Sequence, residues 1–232
     1  MHSKLVTLAA IATTALPLSV VLPILPRPAT LHAQTLYRTD PSVAIDYFLE
    51  VALGSEFGNN DPQIKKWVEP LRIKVHGSPT PEDRRILRTV MQELNALTNI
   101  DWRFDSTNPN VDIYFVPESE FHQYEPNYVP VSYGFFWTWW KNYEISQARI
   151  LISTTEINQR ERAHIIREEL TQSLGLMRDS YRFSDSIFFQ GWTDVTEYSE
   201  LDKAVISLLY RPEVRPGMSK EELLDVLRTS SR

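Results

Sequence analysis

The sequence predicts an α+β fold in a single domain. Three observations carry that reading. Apolar residues repeat with helical spacing in several segments, and short alternating or aromatic runs between them read as strands. No internal repeat, low-complexity stretch or linker divides the chain. The order is helix, strand, helix, three or four strands, helix, loop and helix. This predicts a twisted mixed sheet with the helices at 80–98 and 159–175 packed on it, followed by a helical C-terminal part.

Asp40-Pro41 is a helix start, with Asp as N-cap and Pro in the first turn. Val43, Ala44, Tyr47, Phe48, Val51 and Ala52 then keep helical spacing up to Gly54. Leu71–Val75 alternates apolar and basic residues, as a half-buried strand does. Thr80-Pro81 opens a helix whose apolar face is Ile86, Leu87, Val90, Met91, Leu94 and Leu97. Ile100–Phe104 and Val111–Val116 read as strands around an Asn108-Pro109-Asn110 turn, and 117–130 as loop. Tyr133–Trp140 is an aromatic strand, and Ala148–Ser153 its hairpin partner. Asn158 caps a helix running to Leu174, with Gly175 as its stop. Residues 176–195 read as irregular. A helix from Ser199 to Tyr210 turns Leu201, Val205, Leu208 and Leu209 inward, and Ser219–Glu222 is a capping box for a last helix.

The chain has 232 residues, 24 Lys plus Arg and 30 Asp plus Glu, a net charge of −6. That balance speaks against nucleic acid, whose phosphates need clustered cations. Arg84-Arg85 and Arg160, Arg162 and Arg167 are interleaved with acids and read as solvated helix faces. The absence of cysteine excludes disulfides, thiolate metal sites and thiol nucleophiles, and no GxGxxG, Walker or GxSxG pattern occurs. Residues 1–33 read as a secretory signal peptide: Lys4, then an apolar Leu5–Leu25 broken by Pro17 and Pro23, with cleavage after Ala33. An uncleaved anchor is the alternative; a lipoprotein anchor has no cysteine to use. Residues 34–66 then form an N-terminal helix and linker, and 67–232 the main domain. The mature form loses Lys4 and Arg27 and no acid, so its charge becomes −8, and it keeps only His76, His122 and His164. The expected location is secreted or periplasmic, with no transmembrane segment in the mature chain.

The segment richest in chemistry is 164–179. His164, Glu168 and Gln172 are four apart and share a helix face, with Glu169 beside them. The spacing resembles the zincin motif HExxH and its extended metzincin form HExxHxxGxxH. In that resemblance Glu168 and Gln172 stand at the two histidine positions, Glu169 and Gly175 keep the Glu and Gly, and Arg178 stands where the third ligand belongs. Strand Arg149–Ser153 stands where zincins have their substrate-binding edge strand, and helix 199–210 is similar to the C-terminal helix of matrixin-type metzincins. The likeness covers roughly 68–210 and implies a zincin-like domain over 67–232. A closer likeness is to an exported bacterial family, domain of unknown function 2927, which this chain resembles in its EELTQxLGL run, in Ser186-Ile187-Phe188 and in LLYRPEVRPGM at 208–218.

The departures from the motif weigh on function. A zinc peptidase needs neutral imidazoles, three protein ligands and an open position for water. Here both helix histidines are replaced and Arg178 is a cation. The resemblance implies Glu169 as the general base, but a carboxylate without a metal-acidified water cannot readily attack an amide. The leading expectation is therefore a degenerate site without cofactor that binds a peptide, protein or cell-envelope partner, with Arg178 and Asp179 beside it. A divergent hydrolase is the alternative, with zinc on His164, Glu168 and Gln172, or with Asp179 or Asp185 completing the set; His122 is the second-segment candidate. A metal-free Glu168–Gln172 pair activating water is a further option.

Tyr133, Phe135, Trp137, Trp139 and Trp140 form an unusually dense aromatic strip. Alternation puts Phe135, Trp137 and Trp139 on one face and Phe136, Thr138 and Trp140 on the other. Such a strip is either covered on both faces by its own fold, beneath 117–130, or open to a peptide or glycan.

Overall fold

Helix α1 (Pro41–Ala52) begins where Asp40 accepts a hydrogen bond from Ser42 N at 2.8 Å, and buries Tyr47, Phe48 and Val51. After it the chain forms strand β1 (Lys66–Trp67), strand β2 (Leu71–Gly77) and helix α2 (Pro81–Thr98). Strands β3 (Trp102–Phe104) and β4 (Val111–Val116) follow, then a 3₁₀ turn at Glu118–Glu120 and a one-turn helix α3 (Phe121–Tyr124). Strands β5 (Gly134–Lys141) and β6 (Glu144–Ser153) form a hairpin, and helices α4 (Gln159–Gln172), α5 (Glu200–Leu209) and α6 (Lys220–Thr229) complete the chain. The computed structural model describes residues 40–55, 61–130 and 133–229. The expected leader over 1–33 and its cleavage point lie outside the described residues.

The sheet order is β3–β2–β4–β6–β5. β5 is antiparallel to β6, the other pairings are parallel, and β1 lies beside the start of β6 on the side where β4 pairs further along. The architecture is thus α+β with a mixed sheet, as expected. Its core face carries Ile73, Ile113, Phe115, Ile150 and Ile152, packed against Leu87, Val90 and Leu94 of α2 and Ile166 and Leu170 of α4. Both helices start on capping boxes, Thr80 with Asp83 and Asn158 with Glu161. Among the described residues, no helix is long and apolar enough to cross a membrane.

Three expectations need correction, and one strand, β1, has no counterpart in the sequence reading. Strand Arg149–Ser153 is part of a longer β6 that starts at Glu144 and lies inside the sheet; β5 is the edge strand. The segment 117–130 is not plain loop: its 3₁₀ turn and α3 drop Phe121 onto the second sheet face against Val116, Phe135 and Leu151. β1 carries no alternation because it is two residues long, and it is held from outside by Trp67 Nε1 donating to Ser173 O at 3.0 Å. In α5, Ile206 is buried and Leu208 only half-buried.

Two polar knots fasten the layers. Asp83, fully buried, accepts from Gln159 Nε2 at 2.7 Å and lies 3.5 Å from Arg162, whose Nε donates to Ser153 O at 2.9 Å; this ties α2, α4 and the end of β6 together. Asp202 of α5, also fully buried, accepts from Ser186 Oγ at 2.6 Å and from Ser199 N at 2.9 Å, while Tyr47 Oη donates to Ser186 Oγ at 2.9 Å. Burial raises the Asp202 carboxyl above its ordinary value, and the donors around it oppose that rise. Replacing Asp202 by Ala strands the Ser186 and Ser199 donors. Asp202→Ala should therefore cost about 2–4 kcal/mol, read as a lower urea midpoint.

Candidate functional site

The cleft has one helix and one strand as walls. Helix α4 contributes His164, Glu168, Glu169 and Gln172 to a cavity of about 390 Å³, and the beginning of β5 contributes Gly134 and Phe136. The irregular segment after α4 closes the third side with Asp179, Phe189 and Trp192. His164, Glu168, Glu169 and Gln172, grouped by spacing, thus share one cleft, and Asp179 joins them. Tyr133 and Phe135 also line it. Arg178 does not: its backbone N–H donates to Val51 O and its guanidinium turns to Leu53 O at the end of α1. Trp137, Trp139 and Trp140 lie further along β5 and line no part of it. His122 is exposed on α3 and Asp185 is exposed after α4; neither reaches the cleft.

Each α4 side chain at the floor is aimed by a partner. The His164 Nδ1–Val195 O distance is 2.7 Å, and His164 Nε2 lies 3.3 Å from Glu168 Oε2. Gln172 Nε2 donates to Asp179 Oδ1. Glu169 is buried beneath the start of β5. A Cβ built on Gly134 would lie 2.3 Å from Glu169 Oε1 and 2.4 Å from Ile165 Cγ2, so only glycine lets the strand come this close to the helix. Burial alone would lower the His164 pKa. The Glu168 carboxylate, the Val195 carbonyl and Asp194 together outweigh it and hold the imidazole above its ordinary value.

These donors do not fit a zinc centre. His164 could offer Nε2 with Nδ1 anchored on a carbonyl, the usual arrangement for a ligating imidazole. Gln172 has its amide turned to Asp179, and among the described residues no three His, Asp or Glu side chains converge as a metal would require.

The aromatic strip is largely covered by its own fold. Phe135 packs against Tyr128 at 5.4 Å and near-parallel to Trp137 at 6.3 Å, beneath the 117–130 segment. Trp140 stacks on Tyr143 with Lys65 over its ring. Trp139 is 37% exposed, with Arg149 5.3 Å from its ring centre. The residue that spacing missed is Trp192, 64% exposed at the cleft mouth, its ring 6.0 Å from that of Tyr133. It lies in a stretch without periodicity, and nothing local in the sequence marks it.

Two measurements test this geometry. Gly134→Ala should lower stability by about 1–3 kcal/mol, because the new methyl meets a buried carboxylate and an isoleucine with little room to move. The His164 ring should titrate above the ordinary value by NMR, and Glu168→Gln should pull its midpoint down. Because the folded value is raised, the stability that His164 contributes is complete below 6.5 and is lost as pH rises through the folded value. A wild-type midpoint at or below 6.5 would contradict the pairing.

No curated protein matches this chain. The family model described as a protein of unknown function (DUF2927) matches residues 42–229, from the second residue of α1 to the last of α6, and the chain therefore belongs to that family.

Proposed function

We propose that this is an exported protein with a zincin-like domain whose cleft has lost metallopeptidase chemistry and binds a peptide segment of a cell-envelope partner. The observation that carries the reading is how the polar side chains on the cleft floor are engaged. His164 faces Glu168 and Gln172 is turned to Asp179, so the two helix positions that would hold a metal in the resembled motif, Glu168 and Gln172, are each engaged by a neighbouring side chain. Above them lies β5, an edge strand to which, among the described residues, no second strand pairs. An edge strand beside a cleft suits an extended peptide, which runs along the edge and drops side chains into the pocket. The apolar leader with its basic start supports export.

A second reading rests on one observation: His164 Nδ1 is anchored on the Val195 carbonyl and Nε2 faces the cleft beside Glu168. That is half of a metal site, and a divergent hydrolase with Glu169 as base would need the other half supplied on binding.

One experiment separates the two. Purified protein is incubated with excess zinc, desalted and assayed for metal content and for cleavage of a mixed peptide pool, beside Glu169→Gln. The expected result is zinc well below stoichiometry and no cleavage that distinguishes the two proteins. Stoichiometric zinc together with cleavage abolished in Glu169→Gln overturns the binding-only reading.

A further inference from the structure

The floor and the mouth of the cleft differ in chemistry, and the difference specifies a ligand. Glu168, Glu169 and Asp179 bring three carboxylates to the lining, and among the described residues His164 is the one group there able to carry positive charge and no lysine or arginine lines it. The surrounding arginines are engaged elsewhere: Arg160 with Asp194, Arg182 with Glu50, and Arg178 with the Leu53 carbonyl. The mouth is aromatic. The Trp192 and Tyr133 rings meet at 78° with centroids 6.0 Å apart, and Trp192 is 64% exposed. The rings meet edge to face, and the exposed aromatic surface of Trp192 at the mouth and the carboxylates in the lining both attract a cation, the first through the ring quadrupole and the second through charge. A volume of about 390 Å³ takes one long side chain with its adjoining backbone.

We infer that the cleft selects a basic side chain, the ammonium of lysine or the guanidinium of arginine, carried by an extended peptide. The inference rests on the peptide-binding reading above and names its specificity. The cationic head passes Trp192 and Tyr133 and settles toward Glu168 and Glu169, while the aliphatic stem lies against Phe136. The same lining rejects an acidic side chain by like-charge repulsion at short range.

The test uses capped pentapeptides of alanine with lysine, arginine, norleucine or glutamate at the centre. Binding to the purified protein is followed by calorimetry at low salt, in buffer above the His164 midpoint. The lysine and arginine peptides should bind about tenfold or more tighter than norleucine. The preference should shrink in Glu168→Gln and in Trp192→Ala, and persist in Glu221→Gln, a carboxylate exposed on α6. Because the four peptides are compared on the unaltered protein, the result does not depend on any variant folding. Equal binding of the lysine and norleucine peptides overturns the charge selectivity and leaves peptide binding standing. No binding of any peptide overturns both.

Discussion

Helix α4 is buried on nearly every side although its sequence is polar, and the rest of the structure is arranged around satisfying it. Ten of its fourteen residues are buried, among them Arg162, His164, Arg167, Glu169 and Gln172. A buried charge without a partner costs several kcal/mol, so each must meet its complement at a set place. Arg162 reaches the carbonyls of Ser153 and Thr154 and the Asp83 carboxylate; Arg167 donates to Glu93 and lies over the Tyr198 ring; His164 and Gln172 turn to Val195 and Asp179. These partners come from β6, α2 and the segment after α4. The helix therefore sets where each of them stops, and at the cleft His164, Glu168, Glu169 and Gln172 line open space.

This constraint also separates what the sequence shows from what it hides. Helices α1, α2 and α5 are legible because each has an apolar stripe and a cap, Asp40, Thr80 and Ser199. Strands β4 and β6 are legible as apolar runs. The grouping of His164, Glu168 and Gln172 follows from helical spacing alone. By contrast, β1 is two residues long and exists because β6 offers an edge at Glu144 and Ile145. Trp192 reaches the cleft only through the course of an irregular segment, and the role of Gly134 depends on a helix thirty residues later. Interactions between distant segments have no period to reveal them.

The runs shared with the family likeness have structural work of their own. Ser186, Ile187 and Phe188 are fully buried, and Ser186 joins Asp202 to Tyr47. In 208–218, the carbonyls of Leu209 and Val214 accept from the Lys66 ammonium, whose pKa burial lowers to about 8, and Tyr210 Oη donates to Leu174 O. These runs anchor the segment that walls the cleft and the strand that borders β6, so their likeness speaks for shared architecture before shared chemistry.

The Tyr47–Ser186–Asp202 knot has a kinetic consequence. It joins residues 139 positions apart, and α1 finds its main packing partner in α5, near the other end of the domain. Closing so long a loop precedes the contacts that reward it, which slows folding. During synthesis the first helix emerges long before α5 exists, so its apolar face has nothing to bury against and the core cannot close until the last third of the chain is available. The N-terminal helix thus depends for its burial on some of the last residues to be made.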